Sequence, residues 1–413
     1  MAGAFTACTP GNNTPKEQPK IKNSGEPVAI QLKSLSSEEE DDYRRAYLNT
    51  SFEILRRNMN NNQNVMISPA SIMIALSMAE AGANGQTREQ MAALWGGQSD
   101  IDGQLSYAAD ILDRLNSSNG VSMHAADSMW INDEMLSGII RQEYVDFVRD
   151  NYDAEVSYLE FDDAAVRRIN SWVDDNTDGM IDKIIDGFEP QTAMVLINAI
   201  AFDGSWETQY EDYQVRQGTF HNADGSNSTA QMLNGTENIY LENDKATGFV
   251  KYYEGGEYAF VVMLPNDPYQ SADDLLNDFT GDDFDEFLNS QTHEYEVLTT
   301  MPEFEYDWGK SIKETLIDMG MTDAFDYSEA DLTGIADFDD DRTLYIGDVI
   351  HKTHIEVDAT GTRAAAVTAV TLDAAGAIME ENIKYVTCDR PFAYAIVDMT
   401  NNTPVFIGSV NEV

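Results

Sequence analysis

Apolar positions first fall into a helical rhythm in the forties. Tyr47, Leu48, Phe52 and Leu55 share one helical face, and Asp41–Asp42 place negative charge where a helix N-terminus favours it. The pattern predicts an amphipathic helix starting near residue 41. Ser68-Pro69 opens a second helix, with proline in the first turn. Its positions Ile72, Ile74, Ala75, Leu76, Met78 and Ala79 are apolar around most of the circumference as far as Gly82, which predicts burial on all sides. Further helices are predicted at about 87–95, 103–115, 139–150 and 163–177. Later the pattern changes. Residues 195–202 form one continuous apolar run, the mark of a strand covered on both faces. Segments 249–253 and 258–264 flank Gly255-Gly256 and read as a hairpin, and strands are also predicted within 344–357 and 392–410. Helices and strands mix without regular βαβ alternation, which predicts an α+β fold. No internal repeat or linker interrupts residues 41–413, so they read as one domain.

Residues 1–40 differ. Pro10, Pro15, Pro19 and Pro27 stand among Asn, Lys, Ser and Glu, a composition that buries too little apolar area to fold and suits a flexible tether. Phe5-Thr6-Ala7-Cys8 resembles the lipobox at which bacterial lipoproteins are cut and lipidated on cysteine, making Cys8 a candidate anchor. Seven residues without a basic start or an apolar core precede it, so an accidental match stays open. The expected location is extracellular, secreted or anchored at the cell surface. The two cysteines, Cys8 and Cys388, make no disulfide framework. With 73 acidic and 25 basic residues the formal charge is -48, which repels nucleic acid and anionic membranes and favours cationic partners. No apolar run reaches the roughly 18 residues a membrane span needs. Neither G-x-S-x-G, H-E-x-x-H, a P-loop nor G-x-G-x-x-G occurs, which argues against an enzyme. No cofactor or metal is expected; His351 and His354, three apart on a strand, point to opposite faces.

Five segments in order resemble the serpin family over roughly residues 43–413. They are Asn64-Val-Met-Ile-Ser-Pro-Ala-Ser-Ile-Met-Ile-Ala-Leu76 running on to Gly82-Ala-Asn-Gly-Gln-Thr87, Leu196-Ile-Asn-Ala-Ile-Ala-Phe-Asp-Gly-Ser-Trp206, His351-Lys-Thr-His-Ile-Glu-Val-Asp358, Gly361-Thr-Arg-Ala-Ala-Ala-Val-Thr368, and Asp389-Arg-Pro-Phe392 with Phe406-Ile-Gly-Ser-Val410. The resemblance implies three β-sheets, about nine helices and an exposed reactive-centre loop. It also implies a monomeric suicide-substrate inhibitor of serine proteases. The protease acylates itself on the loop, and the cut loop enters the central sheet as a new strand and distorts the captured enzyme.

The loop can be tested by physics alone. A segment entering a sheet needs period-two alternation with one face fit for the interior. If Thr362 faces inward, so do Ala364, Ala366, Thr368, Val370 and Leu372, none of them charged, while Arg363 and Asp373 stay on the outer face. An inward unpaired arginine would cost several kcal/mol. Gly361, Thr362, Ala364, Ala365, Ala366, Val367 and Thr368 are therefore read as the hinge; an ordinary Ala/Thr loop or edge strand is the bland alternative. From Gly361 to Ala375 the extended chain spans roughly 46 Å. Counting as the family does puts the reactive bond at Ala375–Gly376. No Lys or Arg lies between Arg363 and Lys384, which leaves trypsin-like targets without an anchor. Ala375, Ala377 and Ile378 favour elastase-like or subtilisin-like enzymes with a small or aliphatic specificity pocket. A bond offset by several residues would let Leu372 or Met379 suit a chymotrypsin-like enzyme, and Asp373 or Glu380 an acid-specific one.

By the matching motifs, the family's polar shutter beneath the central sheet comprises Ser68, Ser71, Asn198 and His351, buried groups that must bond one another. Trp206 matches the aromatic at the breach, where insertion begins. The family's hinge glutamate corresponds to Ala359 and its lysine partner to Glu303, so the restraint on premature insertion is in doubt. The competing function is a non-inhibitory serpin, a carrier, chaperone or storage protein; the small hinge residues argue against it.

Overall fold

A computed structural model describes residues 30–60, 62–97, 100–336, 338, 343–362 and 382–413. Among these, ten α-helices are present: α1 (Ser37–Asn58), α2 (Pro69–Glu80), α3 (Gly85–Leu94), α4 (Ile101–Asn116), α5 (Asp133–Leu136), α6 (Gln142–Tyr152), α7 (Asp163–Asn176), α8 (Ala272–Asp278), α9 (Gly281–Asn289) and α10 (Lys313–Asp318). The first strands are β1 (Val65–Ile67), β2 (Ser122–Asn132), β3 (Glu155–Leu159), β4 (Met194–Ser205), β5 (Val215–His221), β6 (Asn227–Glu237), β7 (Tyr240–Glu242) and β8 (Ala246–Tyr252). They are followed by β9 (Tyr258–Pro265), β10 (Glu296–Pro302), β11 (Phe304–Ser311), β12 (Ile350–Val357), β13 (Gly361–Thr362), β14 (Ile383–Thr387), β15 (Phe392–Asp398) and β16 (Thr403–Val410).

The strands form three sheets. A central sheet has the order β11-β12-β13-β4-β2-β3, a core sheet β1-β16-β15-β9-β8-β7, and a flanking sheet β14-β10-β6-β5. The α+β expectation holds, with ten helices rather than about nine. Every residue of α2 except Ala75 is buried, as its all-round apolar pattern requires, and Ser68 caps it by accepting the Ser71 N–H. Strand β4 is covered on both faces: Ile200 and Phe202 join the main core. Ile197 and Ala199 pack with Trp130, Ile169 and Val173 in a smaller cluster under α7. The expected hairpin is β8–β9, and the left-handed φ of 88° and 72° at Gly255 and Gly256 explains its glycines.

Two boundaries move. The first helix starts at Ser37, not near 41, because Ser36 and Glu39 form a capping box. Ordered structure also begins before it: Ile30 is buried, and Lys33 Nζ bonds Asp100 at 2.6 Å and Glu39 at 2.7 Å. The expected strand over 344–357 begins only at Ile350. Before it the chain bonds elsewhere, Ile346 N–H to the Ala324 carbonyl and Lys313 Nζ to the Gly347 carbonyl. Cys388 is a buried free thiol, and Cys8 lies outside the described residues. Among the described residues no helix is long and apolar enough to cross a membrane.

Candidate functional site at the hinge, breach and shutter

At the end of β12 the chain reverses over Asp358–Gly361. Asp358 Oδ1 accepts the N–H of Thr360 at 2.7 Å and of Gly361 at 3.0 Å, an Asx-type turn. The returning chain is β13, antiparallel to β12 (Thr362 opposite Val357) and to β4 (Gly361 opposite Ser205, Thr362 opposite Gly204). The first two hinge residues are thus already a strand inside the central sheet. Thr362 is 3% exposed, and its Oγ1 shares a 2.6 Å hydrogen bond with the Tyr253 hydroxyl. A small cavity lies under it, lined by Phe202 and Ile355 and floored by Met66, Ile396 and Phe406. Ala364, Ala365, Ala366, Val367, Thr368 and the Ala375–Gly376 bond lie outside the described residues.

Trp206 is fully buried beside this turn. Its Nε1 donates to the Asp358 carbonyl and its backbone N–H to the Thr360 carbonyl, both at 2.9 Å. Its ring stacks on Tyr253 with centroids 4.6 Å apart. On it lies a cation the sequence reading missed. Lys251 Nζ sits 5.4 Å from the Trp206 ring centre and 4.4 Å from that of Tyr210, and bonds Glu237 Oε1 at 2.8 Å. Desolvated cation–π contacts and a buried ion pair of this kind hold only as a set, since removing one member strands the other. Burial pushes the Glu237 carboxyl up and Lys251 pulls it back.

The two residues at the family's usual hinge salt bridge also meet here. The Ala359 carbonyl accepts the Tyr210 N–H at 2.9 Å, and the Ala359 backbone favours the ionised form of the Glu303 carboxyl. Burial raises the Glu303 pKa, and the nearby Asp358 charge adds to the shift. Backbone contacts therefore hold the base of the hinge without an ion pair.

Below, the structure gathers the four shutter residues between α2, β4 and β12, with one difference from expectation. Ser68 N–H donates to His351 Nε2 at 2.9 Å, Ser71 N–H to Ser68 Oγ at 3.2 Å, and Ser71 Oγ to the Asn198 carbonyl at 3.4 Å. Burial depresses the His351 pKa to about 3, so the ring is neutral and accepts this bond at ordinary pH. The Asn198 amide, however, turns away from these groups and donates to Asp127 Oδ1 at 3.0 Å. Asp127 escaped the sequence reading, although an aspartate inside the apolar run 123–131 is itself a signal. His354 instead bonds Asp307 across the strand pair at 2.8 Å.

Three sheets and ten helices among the described residues, with Gly361–Thr362 paired on both sides inside one of the two six-stranded sheets, define a class of mixed α+β protein. A family model described as "Serpin (serine protease inhibitor)" matches residues 45–413, and the chain belongs to the serpin family. An uncharacterised serpin-like protein of Thermococcus kodakarensis is 30% identical, over 87% of this chain and 83% of that protein. The thermophilic serpin Tengpin in its native state is 34% identical with a TM-score of 0.83, covering 95% of this chain and 98% of its own. Its latent state gives 32% and 0.79, over 92% and 99%. Thyroxine-binding globulin in complex with thyroxine, 21% identical with a TM-score of 0.77, shares the fold.

Proposed function

We propose that this serpin is a suicide-substrate inhibitor of serine proteases that traps its target by loop insertion. The observation that carries the reading is β13: Gly361 and Thr362 are paired on both sides within the central sheet, with Thr362 buried. A strand continuing from this rung with the same alternation would turn the small Ala364 and Ala366 inward and Arg363 outward. Each backbone pair and each buried aliphatic side chain added on insertion favours the inserted state, a buried Val or Leu by about 1.5–3 kcal/mol. That a similar chain, Tengpin, has a native and a latent state supports a fold with two energy levels. In this reading Ser68, Ser71, Asn198 and His351 are the exchangeable bonds beneath the parting strands, and Trp206 anchors the turn where insertion starts.

The target is a serine protease with a small or aliphatic specificity pocket, elastase-like or subtilisin-like, that cuts this chain at Ala375–Gly376. The inhibitor acts as a monomer outside the cell or tethered to its surface through Cys8. A carrier role, suggested by the thyroxine-binding relative of the same fold, is the second reading. Incubation with pancreatic elastase or subtilisin separates the two. The inhibitor gives an SDS-stable complex and releases a C-terminal peptide beginning at Gly376. Clean cleavage of the loop by both enzymes without any complex refutes the inhibitory reading, and a peptide starting elsewhere refutes the assigned bond.

A further inference from the structure

Asp127 and Asn198 stand directly opposite each other on β2 and β4. Side chains so paired point to the same face, within reach of one another. Both are buried, at 2% and 9% exposure. One bond joins them, Asn198 Nδ2 to Asp127 Oδ1 at 3.0 Å. Among the described residues each then keeps one buried oxygen without a partner: Oδ2 on Asp127 and Oδ1 on Asn198. An ionised carboxylate cannot use either of them, because both are acceptors. Two orphaned acceptors on one bonded pair are a costly arrangement in a dry interior. A single proton resolves it.

We propose that Asp127 is a carboxylic acid in the native protein and forms a cyclic acid–amide pair with Asn198, clamping β2 to β4 in the shutter. In this pair Asp127 Oδ2–H donates to Asn198 Oδ1 while Asn198 Nδ2–H donates to Asp127 Oδ1, so every polar atom of both side chains has a partner. The surroundings favour the neutral acid. Helix α6 brings Tyr152 and, just beyond its end, Asp153 near Asp127, and α2 brings Ser77 and Glu80 near Tyr152. Of these the charged or titratable groups are acidic, and among the described residues no cation pairs with Asp127. Burial and the Asp153 charge accordingly lift the Asp127 pKa to about 7, against the opposing pull of Asn198. Asn198 also carries the carbonyl that Ser71 holds, so the proton on Asp127 fixes where the shutter amide points. Asp127 is in this sense a positioning residue, and its link to loop insertion alone rests on the inhibitory reading above.

The native chain binds one more proton here than the unfolded chain between the ordinary aspartate range near 4 and about 7. The clamp's contribution is complete below the unfolded value and disappears as pH rises through about 7. Asp127→Asn carries a permanent amide in place of the acid and closes the same ring at any pH. Thermal unfolding of full chain and variant at matched scan rates, from pH 5.5 to 8.5, tests this. The wild type is expected to lose a few degrees relative to Asp127→Asn across that range, while effects of the overall negative charge and of buried Glu80 cancel in the difference. Parallel curves overturn the proposal. Infrared difference spectra of folded wild type minus Asp127→Asn give a second readout, which needs no unfolding. A protonated-carboxyl band that bleaches with a midpoint near pH 7 supports the pair, and a carboxylate band at pH 5.5 overturns it. Neither measurement involves a protease, so failure here leaves the inhibitory reading standing and the reverse also holds.

Discussion

Thr362→Arg puts the insertion mechanism to its sharpest test. Thr362 is enclosed by Val357, Gly204 and the Tyr253 hydroxyl, and the space is tight: even a Cβ added at Gly204 would stand 2.9 Å from the Phe202 and Tyr253 rings. An arginine in this slot forces a charge against Val357 and the Phe202 and Tyr253 rings, where burying it unpaired costs several kcal/mol, and leaves the Tyr253 hydroxyl orphaned for a further roughly 1–3 kcal/mol. The intact protein escapes both by keeping the hinge out of the sheet, so its fold survives. The cleaved acyl-enzyme has no such escape, since it must pass this rung first. If about 3 kcal/mol of the penalty reaches the insertion barrier, insertion slows roughly a hundredfold while deacylation is untouched. Moles of inhibitor consumed per mole of protease silenced, titrated with the elastase or subtilisin that forms the complex, should rise from near one to tens or more, with cleaved chain accumulating on gels. Thr362→Ser keeps the Oγ and should change little, and Tyr253→Phe should lie between, at about 1 kcal/mol. An unchanged stoichiometry for Thr362→Arg would refute the claim that insertion proceeds from this rung.

Two further predictions concern the breach and the shutter. Lys251→Met strands the buried Glu237 carboxylate and should cost about 3–5 kcal/mol, seen as a lowered melting temperature by circular dichroism; adding Glu237→Gln should recover much of it, and an additive double mutant would contradict the ion-pair account. For His351 the sign is opposite to that of Asp127. Its folded pKa of about 3 lies below the ordinary 6.5, so the unfolded chain binds the extra proton and stability is lost as pH falls between those values. His351→Gln, which still offers an acceptor to Ser68 N–H, should flatten that acid limb of the melting curve.

The sequence spelled out those parts of the molecule that depend on local pattern. Ser68-Pro69 and the apolar circumference of α2, the double-sided run of β4 and the Gly255-Gly256 turn all follow from propensity and periodicity, and each is where the pattern put it. The Ser36–Glu39 capping box was legible too, but the conspicuous acidic run after it drew the helix start to residue 41. The motif resemblance supplied the three sheets and the location of Trp206, Ser68, Ser71 and His351. What stayed hidden depends on contacts across the fold. Lys251 reads as an ordinary polar residue of a β-strand until Glu237 from β6 and Trp206 and Tyr210 from the β4–β5 connection converge on it. Likewise Ala359 and Glu303 looked like a lost salt bridge, because a side-chain comparison cannot see the backbone bond from Tyr210 that holds Ala359. Asp127 and Asn198 are 71 residues apart and become neighbours only through the β2–β4 register.

The direction of the chain in β13 has a further consequence. A strand that runs antiparallel to both β12 and β4 obliges those two to run the same way as each other. Wherever they met directly, the ladder between them would be of the parallel kind, with slanted bonds that hold slightly less per residue, while their outer neighbours β11 and β2 grip them in antiparallel register. Apart from the edge pair β2–β3, which is also parallel, the sheet therefore has one line where direct pairing would be of the weaker kind, set by topology before any side chain is chosen, and a strand entering there makes two antiparallel ladders instead.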